Sequence, residues 1–137
     1  MQTKTVITPC GSIVGCVTDY GASFRGVKYA TAKRFEKSVL ITKYDTEQIA
    51  LEQGVCCPQM RAYWNEEHRF YYQEFRKGKS FKYSEDCLIL DIHVPSDAHD
   101  CPVIVFIHGG SFTGGSINEM QFDGSAYTKR GVIRDRK

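Results

Sequence analysis

At 137 residues the chain is long enough to bury a core of its own, and 42% apolar with 25% charged residues is the composition of a globular protein, not a disordered one. A net charge of +2 is too small to argue for nucleic acid or an anionic membrane surface as a partner. No stretch approaches the roughly 18 consecutive apolar residues of a spanning helix, and Met1 to Cys10 lacks the apolar region of a secretory signal, so the expected setting is cytoplasmic.

Taken in chain order, residues 12–18 (Ser-Ile-Val-Gly-Cys-Val-Thr) are β-rich and read as a strand, and Phe24 to Ala30 as a second extended piece. Ser38 to Thr42 is a short strand or a buried extended segment. Between Arg61 and Lys77 the period changes: Trp64, His68, Tyr71, Tyr72 and Phe75 fall on one face of a helix. Glu66 and Glu67 early, Arg76 and Lys77 late, complement the helix dipole, and Gly78 is the expected stop. The aromatic and basic residues from Tyr63 to Tyr83 follow this helical stripe, with acidic residues among them, and so read as a packed face and not as a nucleic-acid surface.

Cys87 to Val94 reads as a strand stopped by Pro95, followed by a polar turn. Pro102 to His108 is apolar nearly throughout, which predicts a strand buried on both faces. It runs into Gly109-Gly110, a turn that few other residues could make. Asp123 to Arg130 predicts a short helix stopped by Gly131; Val132-Ile133 starts another strand, which Arg134 to Lys137 is expected to cut off.

Six cysteines are present, none in a C-x-x-C and with no histidine cluster at zinc-site spacing, so no structural metal is expected and the thiols read as small reduced hydrophobes. The run Gly109-Gly-Ser-Phe-Thr-Gly-Gly-Ser116 lacks the lysine of a P-loop and the spacing of a dinucleotide fingerprint, so no nucleotide or other cofactor is expected.

Four landmarks in order carry a family resemblance. Phe24-Arg-Gly-Val-Lys-Tyr-Ala30 with Arg34-Phe35 is similar to F-x-G-I-P-Y-A … R-F, and Cys57-Pro-Gln59 to C-P-Q. Ser84-Glu-Asp-Cys-Leu-Ile-Leu-Asp91 is close to S-E-D-C-L-x-L-N, and Pro102 to Phe112 with Gly114-Gly-Ser116 is similar to P-V-x-V-x-I-H-G-G-x-F … G-S. Together, over about residues 11–133, they resemble the type-B carboxylesterases, the cholinesterase-like family of the α/β-hydrolase fold. Lys28 in place of proline, the short run from Tyr29 to Arg34, and Asp91 in place of asparagine depart from the family pattern. The expected fold is the N-terminal portion of an α/β-hydrolase: small antiparallel strands leading into the start of the main sheet, with one amphipathic helix near 61–77, and 1–137 as one incomplete domain.

By themselves the glycines are equally a tight turn after a buried strand. The resemblance implies more: an oxyanion hole at Gly109, Gly110 and Ser111, in which the main-chain N–H groups of Gly110 and Ser111 would meet the charge that develops on an ester carbonyl. His108 precedes where the Ser–acid–His order of such triads could place a base, and reads as a turn-supporting residue. No G-x-S-x-G elbow occurs; Ser111 and Ser116 both lack the trailing glycine. The resemblance further implies pocket lining by Trp64, Tyr71, Phe75 and Phe112, and a buried Arg34–Glu85 ion pair.

In secreted relatives the positions of Cys57 and Cys87 are bridged. Such a bridge would close a loop of about 30 residues and contribute roughly 3–4 kcal/mol; two free thiols near one another are the other reading. The expected function is therefore the oxyanion-hole segment of a serine carboxylesterase for a small-molecule carboxylic ester, without the Ser, acid and His of the triad and inactive alone. A non-catalytic esterase-like binding module, or one half of a split esterase completed by a second polypeptide, are the alternatives. An open apolar sheet edge, and with it poor solubility, is also expected.

Overall fold

Two turns of two residues each, Pro9-Cys10 and Asp19-Tyr20, fold the first three strands into an antiparallel meander. In this computed structural model, residues 1–60, 67–119 and 123–136 are described, with the backbone alone for Tyr71 and Arg136. The elements are β1 (Thr3–Thr8), β2 (Gly11–Thr18), β3 (Gly21–Lys28), β4 (Ala30–Thr31), β5 (Val39–Leu40), β6 (Gln48–Ile49), α1 (Phe70–Phe75), β7 (Ile89–Pro95), β8 (Val103–Phe106), α2 (Ser125–Thr128) and β9 (Ile133–Arg136). The main sheet runs β1-β2-β3-β7-β9-β8, with β6 added in parallel to β2; β4 and β5 form a separate pair. All pairs along this path are antiparallel except β8 with β9, so the sheet changes from a meander to a parallel arrangement at the end where β8 delivers the glycine loop.

One irregularity shapes the sheet. The β3–β7 register slips between Phe24 and Val27, leaving Arg25 and Gly26 as a bulge. Gly26 takes φ 72°, a conformation open to glycine. The two N–H groups freed from the ladder are both satisfied: Arg25 donates to the Ala50 carbonyl at 2.8 Å, and Gly26 donates to Oδ1 of the fully buried Asp91 at 2.8 Å. The core lies on one face of the meander, where Ile13, Ala22, Phe24, Val27 and Ala50 cluster and Leu90, Ile92 and Val94 of β7 pack against them.

The four sequence landmarks meet along this seam. Tyr29 N–H donates to Leu88 O at 3.1 Å, and Lys28 Nζ reaches Asp86 at 2.7 Å, so the lysine at the family's proline position has an acidic partner. Arg34 pairs with Glu85, through Nε at 3.1 Å and through its terminal nitrogen. That pair is exposed, not buried as the resemblance implied, because residues 31–40 lie on the surface throughout. An exposed pair of this kind adds little stability.

Three further expectations are corrected. The helix expected near 61–77 is described only as Phe70–Phe75, with residues 61–66 outside the described set and 67–69 in a turn. Arg69 at its N-cap offers no side-chain acceptor. Arg76, at its C-cap, is buried, donating to Tyr83 Oη at 2.8 Å and lying 4.6 Å from the centre of the Phe81 ring. Gly78 and Gly131 do sit at the expected stops, with φ of 72° and 79°.

The strand begun at Val132-Ile133 is not cut off by the charges that follow, since β9 continues through Arg136. Arg134 is tolerated there because its guanidinium lies 5.1 Å from the Phe106 ring and 4.9 Å from that of Tyr127, and it donates to Asp123 O at 3.2 Å.

The apolar strand β8 is the edge of the sheet, and it is not buried on both faces. Val103 and Val105 are each 59% exposed and Ile107 is 70% exposed. An all-apolar strand calls for cover on both faces, and among the described residues no element covers the Val103/Val105 face. No helix among the described residues is long and apolar enough to cross a membrane.

Replacing Asp91 by Ala should destabilise the chain by about 1–3 kcal/mol, because the half-buried Gly26 N–H loses its acceptor. Asp91→Asn keeps an acceptor oxygen and should stay within about 1 kcal/mol of the parent; urea midpoints of the three proteins measure this. Changing Val103 and Val105 together to Lys should raise the monomeric fraction in size-exclusion chromatography. A parent chain that already elutes as a monomer would remove the basis for that expectation.

Candidate functional site

β8 ends at Phe106, and two residues later the chain enters a loop whose shape is set residue by residue. His108 Nδ1 donates to Gly109 O at 2.8 Å, which makes this histidine part of the turn, as its place in the sequence predicts. Gly110 has φ 137°, and a Cβ there would lie 1.7 Å from Gly114 O. Ser111 and Phe112 follow with φ of 53° and 57°, two consecutive non-glycine residues in the left-handed region. Thr113 closes the turn, its N–H reaching Gly110 O at 2.9 Å and its hydroxyl at 3.1 Å. Positive φ at both central residues is the pattern of a type I′ turn, normally the preserve of Gly, Asn and Asp. With Ser and Phe in those places the turn stores strain on the order of 1–3 kcal/mol per residue.

The consequence is where the main-chain donors point. Among the described residues no acceptor takes the N–H of Gly110, which is half-buried, or of Ser111, which is exposed. Phe112, expected to line a pocket, is turned fully outward. Gly109, expected to make the turn, is not the residue on which it depends: its φ is not positive, and a Cβ there would meet nothing within 4 Å. The steric demand falls on Gly110 and Gly115, the latter placed so that a Cβ would lie 2.2 Å from Gly109 O.

The far end of the loop is held from another part of the chain. The buried side chain of Gln59 makes two hydrogen bonds to Gly115, accepting its N–H on Oε1 at 3.0 Å and donating from Nε2 to its carbonyl at 3.0 Å. Next to it, Cys56 Sγ and Ser116 Oγ are 2.9 Å apart, and Asn118 Nδ2 donates to Gly54 O at 2.7 Å. A bridge between Cys56 and Tyr83 ties this segment back to the one that leads into β7. No sequence pattern marks Gln59 as a residue of the loop's site. Its only signal is its place in the Cys57-Pro-Gln59 landmark, since a lone polar residue in a loop has no periodicity.

Beneath the loop lies a cavity of about 410 Å³, lined among others by Cys56, Cys57, Cys87, Ile107 and His108. All six cysteines are free thiols. Burial pushes the Cys56 thiol up, partly opposed by its hydrogen bonds from Ser116 and Asn118, and burial followed by the neighbouring Cys57 does the same to Cys87. Neither Phe75, half-buried on α1, nor Phe112 lines this cavity. Trp64 and the side chain of Tyr71 lie outside the described residues. No group of three or more metal-ligating side chains occurs among the described residues.

The family model of the carboxylesterases matches residues 2–133. The chain belongs to the carboxylesterase family. It is 27% identical to the para-nitrobenzyl esterase of Bacillus subtilis (strain 168), over 97% of this chain and 26% of that protein. It is also 29% identical to the cAMP-regulated D2 protein of Dictyostelium discoideum, over 93% of this chain and 23% of that one. A solved PNB esterase superposes with a TM-score of 0.78 at 25% identity, covering 96% of this chain and 27% of the other. The mixed sheet is thus part of an α/β-hydrolase fold, and the chain spans about a quarter of the length of these relatives.

Gly109→Ala should be tolerated within about 1 kcal/mol, while Gly110→Ala should cost upwards of about 2 kcal/mol, because its Cβ would collide with backbone and its φ would be strained. Thermal melts of the two variants side by side test which glycine the turn depends on; equal losses would contradict the assignment.

Proposed function

We propose that this chain supplies the oxyanion-binding segment of a serine carboxylesterase that hydrolyses a small-molecule carboxylic ester. The observation that carries the reading is the pair of adjacent N–H groups of Gly110 and Ser111, unengaged among the described residues and held in a strained turn at the end of a sheet strand. Ester hydrolysis puts a full negative charge on the former carbonyl oxygen. Preorganised donors about 2.7–3.1 Å from it lower the barrier by roughly 3–4 kcal/mol each. Main-chain donors suit the task because the backbone fixes their direction, and Ser111 donates as well as a glycine would. Nothing in the loop stands in for the nucleophile, since Ser111 and Ser116 are not in an elbow and His108 is spent on Gly109.

Ser, acid and His therefore come from residues other than these 137. The bare apolar edge of β8 is where the next strand of the fold would pair, whether from a continuation of the same polypeptide or from a second one. No cofactor enters this mechanism. The working location we propose is the cytoplasm.

The chain alone should give no turnover of a short p-nitrophenyl ester above background. Mixed with a second polypeptide carrying the elbow and the rest of an α/β-hydrolase sheet, it should restore hydrolysis that a serine-directed reagent abolishes. Robust, reagent-sensitive hydrolysis by the chain alone would show a nucleophile in these residues and overturn the proposal. Assembly without activity would remove the oxyanion role.

A further inference from the structure

The strained turn at Ser111-Phe112 holds its shape only if both of its ends are fixed. Its near end is β8 and His108. Its far end is Gly115, where the chain comes back so tightly that Gly114 O crowds Gly110, and Gly109 O and the His108 ring crowd Gly115. Whatever places Gly115 therefore places Gly110. The group that does so is the Gln59 amide, which binds both the N–H and the C=O of Gly115 at 3.0 Å, as a neighbouring strand would, from 56 positions away in sequence. The same Nε2 also donates to Cys57 O at 3.2 Å, anchoring the amide to its own segment.

We infer that Gln59 is the positioning residue of the oxyanion loop: by pairing with both polar groups of Gly115 it aims the N–H donors of Gly110 and Ser111. What those donors are for rests on the function proposed above; that Gln59 sets their direction does not. The pairing is specific to a primary amide of this length. Asparagine is one methylene short. Alanine leaves both Gly115 groups without their partner. Glutamate is the informative replacement, because its neutral form can accept on one oxygen and donate from the other, as glutamine does. Once ionised it has no hydrogen to offer, and one carboxylate oxygen then faces the Gly115 carbonyl.

The experiment uses the full chain labelled with nitrogen-15, observing amide shifts and hydrogen exchange at about pH 4, below the reference carboxyl pKa of ~4.3, and at about pH 8. The parent measured at each pH supplies the reference Gly110 and Ser111 amide shifts and the reference Gly115 protection factor, corrected for intrinsic exchange, because the His108 imidazole lies in the same loop. Gln59→Glu should match the parent at the lower pH. At the higher pH it should lose about tenfold or more in Gly115 protection and move the Gly110 and Ser111 signals, reversibly, while β1–β3 stay protected. Gln59→Ala should show the displaced signals at both.

Gly110 and Ser111 signals that stay in place in Gln59→Glu while Gly115 loses protection would overturn the inference, since the amide would then bind Gly115 without aiming the donors. So would loss of β1–β3 protection together with the loop, which would make Gln59 a general stabiliser. Because no ester is involved, failed complementation with intact Gln59 coupling would refute the proposed function and leave the positioning role standing.

Discussion

The contact between the buried Asp91 carboxylate and the Gly26 N–H organises much of what surrounds the loop. A bulge frees backbone donors from the ladder, and a buried donor left without a partner costs on the order of 1–3 kcal/mol. Asp91 takes one of the two, and Ala50 takes the other, drawing the residue after β6 against β3. The bend also brings Gly26 against Gly54, whose carbonyl receives Asn118, and from Gly54 it is five residues to Gln59. A regular β3 would leave no place for that path.

The loop is thus built from two directions. β8 brings it in from the sheet, and the segment from Gly54 to Gln59 meets it from the side of the meander. On the function proposed above, both would act on the direction of main-chain dipoles, the kind of preorganisation that stabilises a developing charge without rearrangement when the reaction occurs. The strain of two left-handed non-glycine residues, roughly 1–3 kcal/mol apiece, is offset by these supports.

Strands β2, β3 and β7, the short helix before Gly131 and the glycine turn were legible because each has a local cause: β-branched runs, or a proline or glycine at a boundary. The family was legible because its landmarks include residues that make contacts across the fold, such as Arg34 with Glu85 and the backbones at Tyr29 and Leu88. What could not be read is non-local. The apolar pattern of β8 says what the strand prefers, not what covers it. Arg134 looks like a strand breaker until Phe106 and Tyr127 are seen on either side of it. Gln59 looks like a loop residue until Gly115 arrives beside it. Gly109 and Gly110 are indistinguishable in sequence, and only the backbone angles separate the one that matters.

The interposition of β9 between β7 and β8 has a consequence in time. During synthesis β8 leaves the ribosome before the strand that pairs with it, and β7, although already made, is not its neighbour. The pairing residues of β9 begin with Ile133, 27 positions after Phe106. At roughly 5–20 residues per second, an apolar strand waits for about one to five seconds with neither ladder satisfied. Its first partner is then parallel and carries a charged residue, Arg134, which must find two aromatic rings to be buried. Its most apolar strand therefore exists for an interval in which its neighbour does not, the condition under which an unpaired strand edge is open to misassembly.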